Sequence, residues 1–181
     1  MLDGLKQRQF RRNLETRRRA VRPVTPSPAA PPTNLATART IALLYPADDA
    51  EQRKKIDRWR DKLAARVEAL GYFSADVGST SFDFTVVSPK TLNWYGAPTG
   101  EAVEKFLRTP CDLLLRLGPA GHRELDYLAA LKPAGLRVGP RSADVDTPYH
   151  LQYDNSGSQG PSDDLRAIER LFSFTNASTP S

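Results

Sequence analysis

Two hydrophobic periods alternate along this chain. Residues 40–45, Thr-Ile-Ala-Leu-Leu-Tyr, form a continuous apolar run closed by Pro46, and residues 112–117, Asp-Leu-Leu-Leu-Arg-Leu, are a second strongly apolar segment. Unbroken runs of this length suit strands covered on both faces. After the first run, Ile56, Trp59, Leu63, Val67 and Leu70 recur at spacings of three, four, four and three. At 100° per residue they fall within an arc of roughly 80°, which predicts an amphipathic helix. Asp48 or Asp49 can cap it, Gly71 can end it, and Glu51–Lys55 and Arg53–Asp57 are helix-spaced ion pairs on its polar side.

Further on, two short strand-like runs at 72–77 and 82–87 flank a Gly-Ser-Thr-Ser segment, and a loop spans 88–100. Val103, Phe106 and Leu107 predict a short helix stopped by Pro110; Leu125, Leu128 and Leu131 predict another stopped by Pro133. Strands are expected at 136–138 and 149–153, and a last helix bears Leu165, Ile168, Leu171 and Phe172 behind Ser162, Asp163 and Asp164. Strands alternating with helices predict an α/β domain over residues 40–174: three-layer, mainly parallel sheet, flavodoxin-like or Rossmann-like. A polar tail, 175–181, follows.

Charge changes the picture at the front of the chain. Residues 1–22 hold eight basic and two acidic groups, leaving 18 of the 26 basic and 19 of the 21 acidic groups for the rest. The net charge of +5 therefore belongs to this segment, not to the body. It can form a helix with Phe10, Leu14 and Val21 on one side and Arg11, Arg12, Arg18, Arg19 and Arg22 on another, though so thin an apolar stripe makes a marginal helix when unpartnered. Residues 23–39 carry five prolines and read as an extended spacer. The expectation is a basic N-terminal helix, 1–22, outside the body and held away from it.

The chemistry-bearing residues narrow the function by exclusion. Cys111 is the single cysteine, so an internal disulfide and a multi-cysteine zinc site are ruled out; beside an apolar run it reads as a buried small hydrophobe. No apolar stretch reaches the ~18 residues of a membrane span, and no secretory h-region is present, so a cytoplasmic protein is expected. The first strand lacks a glycine-rich phosphate turn, no Gly-Lys-Ser/Thr loop exists, and no serine sits in a nucleophile elbow. The Gly118-Pro-Ala-Gly121 turn can offer N–H groups to an anion but reads first as a plain strand-to-helix turn. His122 and His150 share no ligand spacing. No catalytic residue, metal or cofactor is assigned.

Leu92-Asn-Trp-Tyr-Gly96 is the most distinctive local motif. Adjacent Trp94 and Tyr95 in a turn cannot both face one core, so one lies at a rim, while Asn93 and Gly96 supply the turn. Ser88-Pro-Lys-Thr-Leu-Asn-Trp-Tyr-Gly96, with Cys111-Asp-Leu-Leu-Leu-Arg-Leu117, Gly135-Leu-Arg-Val-Gly139 and Tyr149-His-Leu-Gln152, resembles a domain-of-unknown-function family of small bacterial proteins known mainly from Bacteroidetes. The resemblance covers the body and the basic helix. It implies a bacterial cytoplasm and no particular activity. Arg116 stands where relatives have an aspartate, and the region after Gly71 is shortened.

The basic segment has three readings: a solvated tail, a polyanion-binding helix, or an interfacial helix on an anionic membrane. The favoured one is a non-enzymatic binding protein. Arg8, Arg11, Arg12, Arg17, Arg18, Arg19 and Arg22 engage RNA or a ribonucleoprotein such as the ribosome, and Asn93, Trp94 and Tyr95 dock a partner. The alternative is a small-ligand-binding or enzymatic domain with a site near Asp48, Asn93 and Asp154, at the C-terminal edge of the sheet.

Overall fold

The computed structural model describes residues 2–25, 31–143 and 146–177, the last four as backbone only. Strand β1 (Thr40–Pro46) is the centre of a six-stranded parallel sheet. It pairs with β2 (Arg66–Tyr72) on one edge and β4 (Cys111–Arg116) on the other; β3 (Thr85–Val87) lies beyond β2, and β5 (Ala134–Pro140) and β6 (Leu151–Tyr153) lie beyond β4. The order β3-β2-β1-β4-β5-β6 is the Rossmann order, not the flavodoxin one. Helices α2 (Ala50–Arg60), α3 (Glu101–Arg108) and α4 (Arg123–Leu131) connect strands, α1 (Leu2–Ala20) precedes the sheet and α5 (Pro161–Ala177) follows it.

Alternation along the strands divides the interior into two cores. Ala42, Leu44 and Leu114 face α3 and α4; Ile41, Leu43, Leu113 and Leu115 face Ile56 of α2 and Leu165, Ile168 and Phe172 of α5. The three-layer expectation holds, with helices on both faces of the sheet.

The helix predicted across residues 56–70 is two elements. Helix α2 stops at Arg60 and β2 starts at Arg66, in register with Thr40. Ile56, Trp59, Leu63 and Val67 do pack into one core, but Leu70 points into the other. A spacing of three puts two residues on one side of a helix and on opposite sides of a strand. The strand wins because β1, buried on both faces, needs hydrogen-bond partners along both edges. Gly71 is accordingly no helix cap. It sits in β2 where a Cβ would fall 2.6 Å from the Phe84 ring. Of the two runs expected next, only Tyr72, the last residue of β2, and residues 85–87 pair in the sheet; Phe73, Phe82 and Phe84 pack on one another in the loop between, with ring centroids 5.0 to 6.3 Å apart.

The expected separation of the basic helix is also corrected. Phe10 is 6% exposed, its ring 5.1 Å from that of Tyr127 on α4, and Leu14 and Val21 pack against the same core. The Tyr127 hydroxyl donates to Asn13 Oδ1 at 2.6 Å, the Arg17 guanidinium meets Glu104 of α3 at 2.9 Å, and Arg123 lies 3.8 Å from the Phe10 ring centroid. A marginal stripe suffices once these partners receive it. The spacer is anchored at its far end: Asn34 Oδ1 accepts the N–H groups of Ala36 and Thr37, and Leu35 packs into the α2–α5 core. The proposed tail lies in part within α5, and residues 178–181 fall outside the described chain.

Replacing Phe10 by Ala should remove about 3–5 kcal/mol of packing. The expected result is faster tryptic cleavage within residues 1–22 while the α/β body persists; an unchanged cleavage rate would show that Phe10 does not hold the helix.

Candidate nucleic-acid interface

Docking sorts the cations of α1 by direction. Arg8, Arg11, Arg12, Arg18 and Arg19, with Arg22 just beyond the helix end, are exposed, and none forms an ion pair among the described residues. Arg17 is the exception among the seven predicted. It turns inward to Glu104 and the Tyr127 hydroxyl; burial works against its charge, and Glu104 and Tyr127 together more than offset this, so its pKa rises. Arg11 and Arg18 also wall a groove of about 460 Å³ with Arg123, Tyr127 and Tyr149. Arg8 to Arg19 span roughly 16 Å of helix.

The Asn93–Gly96 turn lies beside this helix. Arg123, stacked on Phe10, donates to the Tyr95 carbonyl at 2.6 Å and so bridges α1 to the turn. Asn93 Oδ1 accepts from the N–H groups of Tyr95 and Ala97 at 3.2 and 3.0 Å, and Gly96 has φ +85°, a left-handed conformation in which a side chain would be strained. Asn93 is therefore a turn-forming residue. Tyr95 packs against the core, and Trp94, 59% exposed, faces solvent with its ring edge-on to Tyr95 at 5.3 Å.

The C-terminal edge of the sheet is arranged differently from a ligand crevice. Ligands of doubly wound sheets sit where the strand order reverses, here between the ends of β1 and β4. Pro46 closes that gap: a Cβ on Gly118 (φ +98°) would lie 2.6 Å from the proline ring. Both polar groups of Gly118 are engaged, its N–H by Asp164 of α5 at 2.6 Å and its carbonyl by Arg116 and Asn155 at 2.8 and 3.1 Å. Burial raises the pKa of Asp164, against the pull of the Gly118 N–H. The N–H of Gly118 is thus not available to an anion.

Arg116 itself is wholly buried, its Nε 3.0 Å from Asp126, which also accepts from the Tyr149 hydroxyl; Tyr153 donates to the Arg116 carbonyl. Sequence reasoning marked Arg116 only as a departure from its relatives and missed its partners. The signal was an arginine ending an otherwise apolar strand, which requires a buried counter-charge. A second buried cation, Lys132, meets Glu68 at 2.7 Å and the Phe106 carbonyl.

The residues of the alternative site have separate structural roles. Asp48 accepts from Ser74, Asp49 caps α2 through the N–H groups of Glu51 and Gln52, and Asp154 accepts from Ser156 beyond the edge strand β6, three strands from β1. No hydrogen bond or ion pair among the described residues joins Asp48, Asn93 and Asp154. Cys111 is buried, and desolvation pushes its thiol up to about 11. His150 accepts from the Arg137 N–H through Nδ1.

These features define a Rossmann-ordered α/β domain with a closed switch point and a cationic helix docked on one helical layer. The chain belongs to a family of unknown function, DUF6913, whose model matches residues 6–158 and so takes in most of α1 and the whole sheet. No curated protein matches it. No helix among the described residues is long and apolar enough to cross a membrane.

Removing one member of the Arg116–Asp126 pair leaves a buried charge uncompensated. Asp126→Ala should lower stability by about 3–5 kcal/mol in denaturant unfolding, and Asp126→Asn by less; equal stability of all three would show the pair to be dispensable. Burial, with Arg116 beside it, lowers the pKa of His122, and burial lowers that of His150, from 6.5. The unfolded chain then takes up these protons at a higher pH than the folded one, so stability should decline as pH falls through 6.5 toward the folded-state values. His122→Gln should flatten that decline in thermal melts.

Proposed function

We propose that this is a non-enzymatic cytoplasmic binding protein that holds RNA, free or within a ribonucleoprotein such as the ribosome, on the solvent side of α1. One observation carries the reading: Arg8, Arg11, Arg12, Arg18 and Arg19 lie exposed on a helix whose apolar side is locked to the body, Arg22 lies exposed just beyond its end, and none of the six has an anionic partner among the described residues. Unpaired cations in a row neutralise phosphates and release counterions, which is the main source of sequence-independent affinity for nucleic acid. Arg17 stands outside this set as a docking residue.

The membrane reading loses support, because Phe10, Leu14 and Val21, the residues an interfacial helix would insert, pack against the body. The small-ligand reading has no observation in its favour at Asp48, Asn93 and Asp154.

Because α1 covers Tyr127, deleting residues 1–22 would disturb the body as well as remove charge; substituting exposed arginines separates the two effects. Arg11→Ala with Arg12→Ala should weaken binding of a short RNA and make the slope of log K against log salt shallower by about 1.4 to 1.8, at 0.7–0.9 per phosphate contact. The melting temperature should stay unchanged. An unaltered slope in salt-dependent fluorescence anisotropy would remove the basis of the reading.

A further inference from the structure

We infer that the polyanion is a single-stranded RNA, and that Trp94 is the platform on which one of its unpaired bases stacks. The inference rests on the reading of α1 above and names the form of its partner. Trp94 is one of three large hydrophobic side chains exposed among the described residues; the other two, Leu2 and Leu5, lie at the start of α1. Unlike Leu92 and Tyr95 of the same turn, it is not among the residues packed against either core. It contributes little to the fold.

The turn nevertheless holds it in one place. Asn93 ties the backbone on both sides through Tyr95 and Ala97, the Gly96 N–H closes on the Asn93 carbonyl at 2.9 Å, and Leu92 bridges Pro98 in antiparallel fashion. Tyr95 supports the indole edge-on. A rigid, exposed aromatic loses little freedom on binding. Its location matches the charge: Arg123 contacts both the Phe10 ring and the Tyr95 carbonyl, so the turn adjoins the helix that carries the cations. A strand whose phosphates follow α1 brings its bases within reach of this turn.

Base pairing decides which form of RNA fits. In a duplex both faces of each base are covered by neighbours, and an indole has no free face to meet. In a single strand every base has an available π-face, and stacking on an aromatic side chain is insensitive to sequence. A cationic track beside a lone aromatic platform is the arrangement that binds single strands without reading their sequence.

The chain has two tryptophans, Trp59 and Trp94, and Trp59→Phe leaves Trp94 as the only indole. Trp59 is remote in role, packing in the α2–α5 core and donating to Glu169. In this variant, a short oligouridylate at low salt should quench the emission at saturation, whereas inorganic polyphosphate should bind without quenching. In the otherwise native chain, Trp94→Ala should weaken oligouridylate binding by about 5- to 150-fold, the range of a lost base stack, and binding of the same strand paired with oligoadenylate by less than about twofold. Undiminished oligouridylate binding by Trp94→Ala, or no change in emission at saturation, would overturn the stacking inference while leaving the α1 reading in place. Failure of the native chain to bind oligouridylate, duplex and polyphosphate alike would overturn both.

Discussion

The burial of Phe10 against Tyr127 is the contact on which the rest depends. Around it Tyr127 donates to Asn13, Arg123 covers the Phe10 ring, and Arg17 reaches Glu104. These contacts use the whole apolar stripe of α1 and one of its arginines. Beyond the exposed Leu2 and Leu5 at its start, what remains on the helix is mostly polar and cationic, and it has a fixed direction relative to the Trp94 turn. A helix too thinly apolar to persist alone becomes a rigid element because α4 presents an aromatic with a hydroxyl where Phe10 and Asn13 can both meet it. The same contact commits Phe10, Leu14 and Val21 to the body.

At the other end of the sheet the fold uses its customary ligand position for structure. Buried Arg116, with Asp126, Tyr149 and Tyr153 around it, and Gly118, held by Asp164 and Asn155, tie β4, α4, β6 and α5 together at the switch point. A buried cation is tolerable only with a carboxylate in contact, and Asp126 supplies it from the first turn of α4. The wholly buried cations Arg116 and Lys132 are thus paired with carboxylates, while the six exposed arginines of residues 8–22 are not. That contrast directs attention to the helix and away from the crevice.

The sheet was legible where strands are buried on both faces, as at residues 40–45 and 113–115, because apolar runs this short between turn residues fit a doubly covered strand better than a helix, which needs more length. The helices at Val103–Leu107 and Leu125–Leu131 were legible from period and from the prolines that follow them. The region 61–72 was not. Its apolar residues mimic a continuous helix, and only the pairing of Arg66 with Thr40, a contact across 26 positions of chain, makes it a strand. The cationic set and the Trp94 turn were visible as residue types, but not which members were free: Arg17 and Tyr95 are withdrawn by Glu104 and by the core, neighbours that no local pattern reveals. Arg116 was visible as an oddity and interpretable only with Asp126 in place.

The prolines of residues 23–39 take on a different meaning once α1 is docked. The chain leaves the α1–α4 layer at Val24, whose side chain approaches Gly135 at the start of β5, and reaches the opposite core at Leu35 before Asp112 receives the N–H groups of Arg39 and Thr40. Its described ends, at Val24 and Leu35, thus lie on opposite layers, and a segment poor in backbone donors leaves few N–H groups in need of a partner. Proline also narrows the unfolded ensemble, so restraining this segment costs less entropy than it would for a flexible spacer of equal length. A proline-rich connection and an aromatic latch on α4 act in the same direction. Both reduce the freedom of α1, and a cationic face that is already ordered binds an anionic partner without first losing the entropy of a mobile arm.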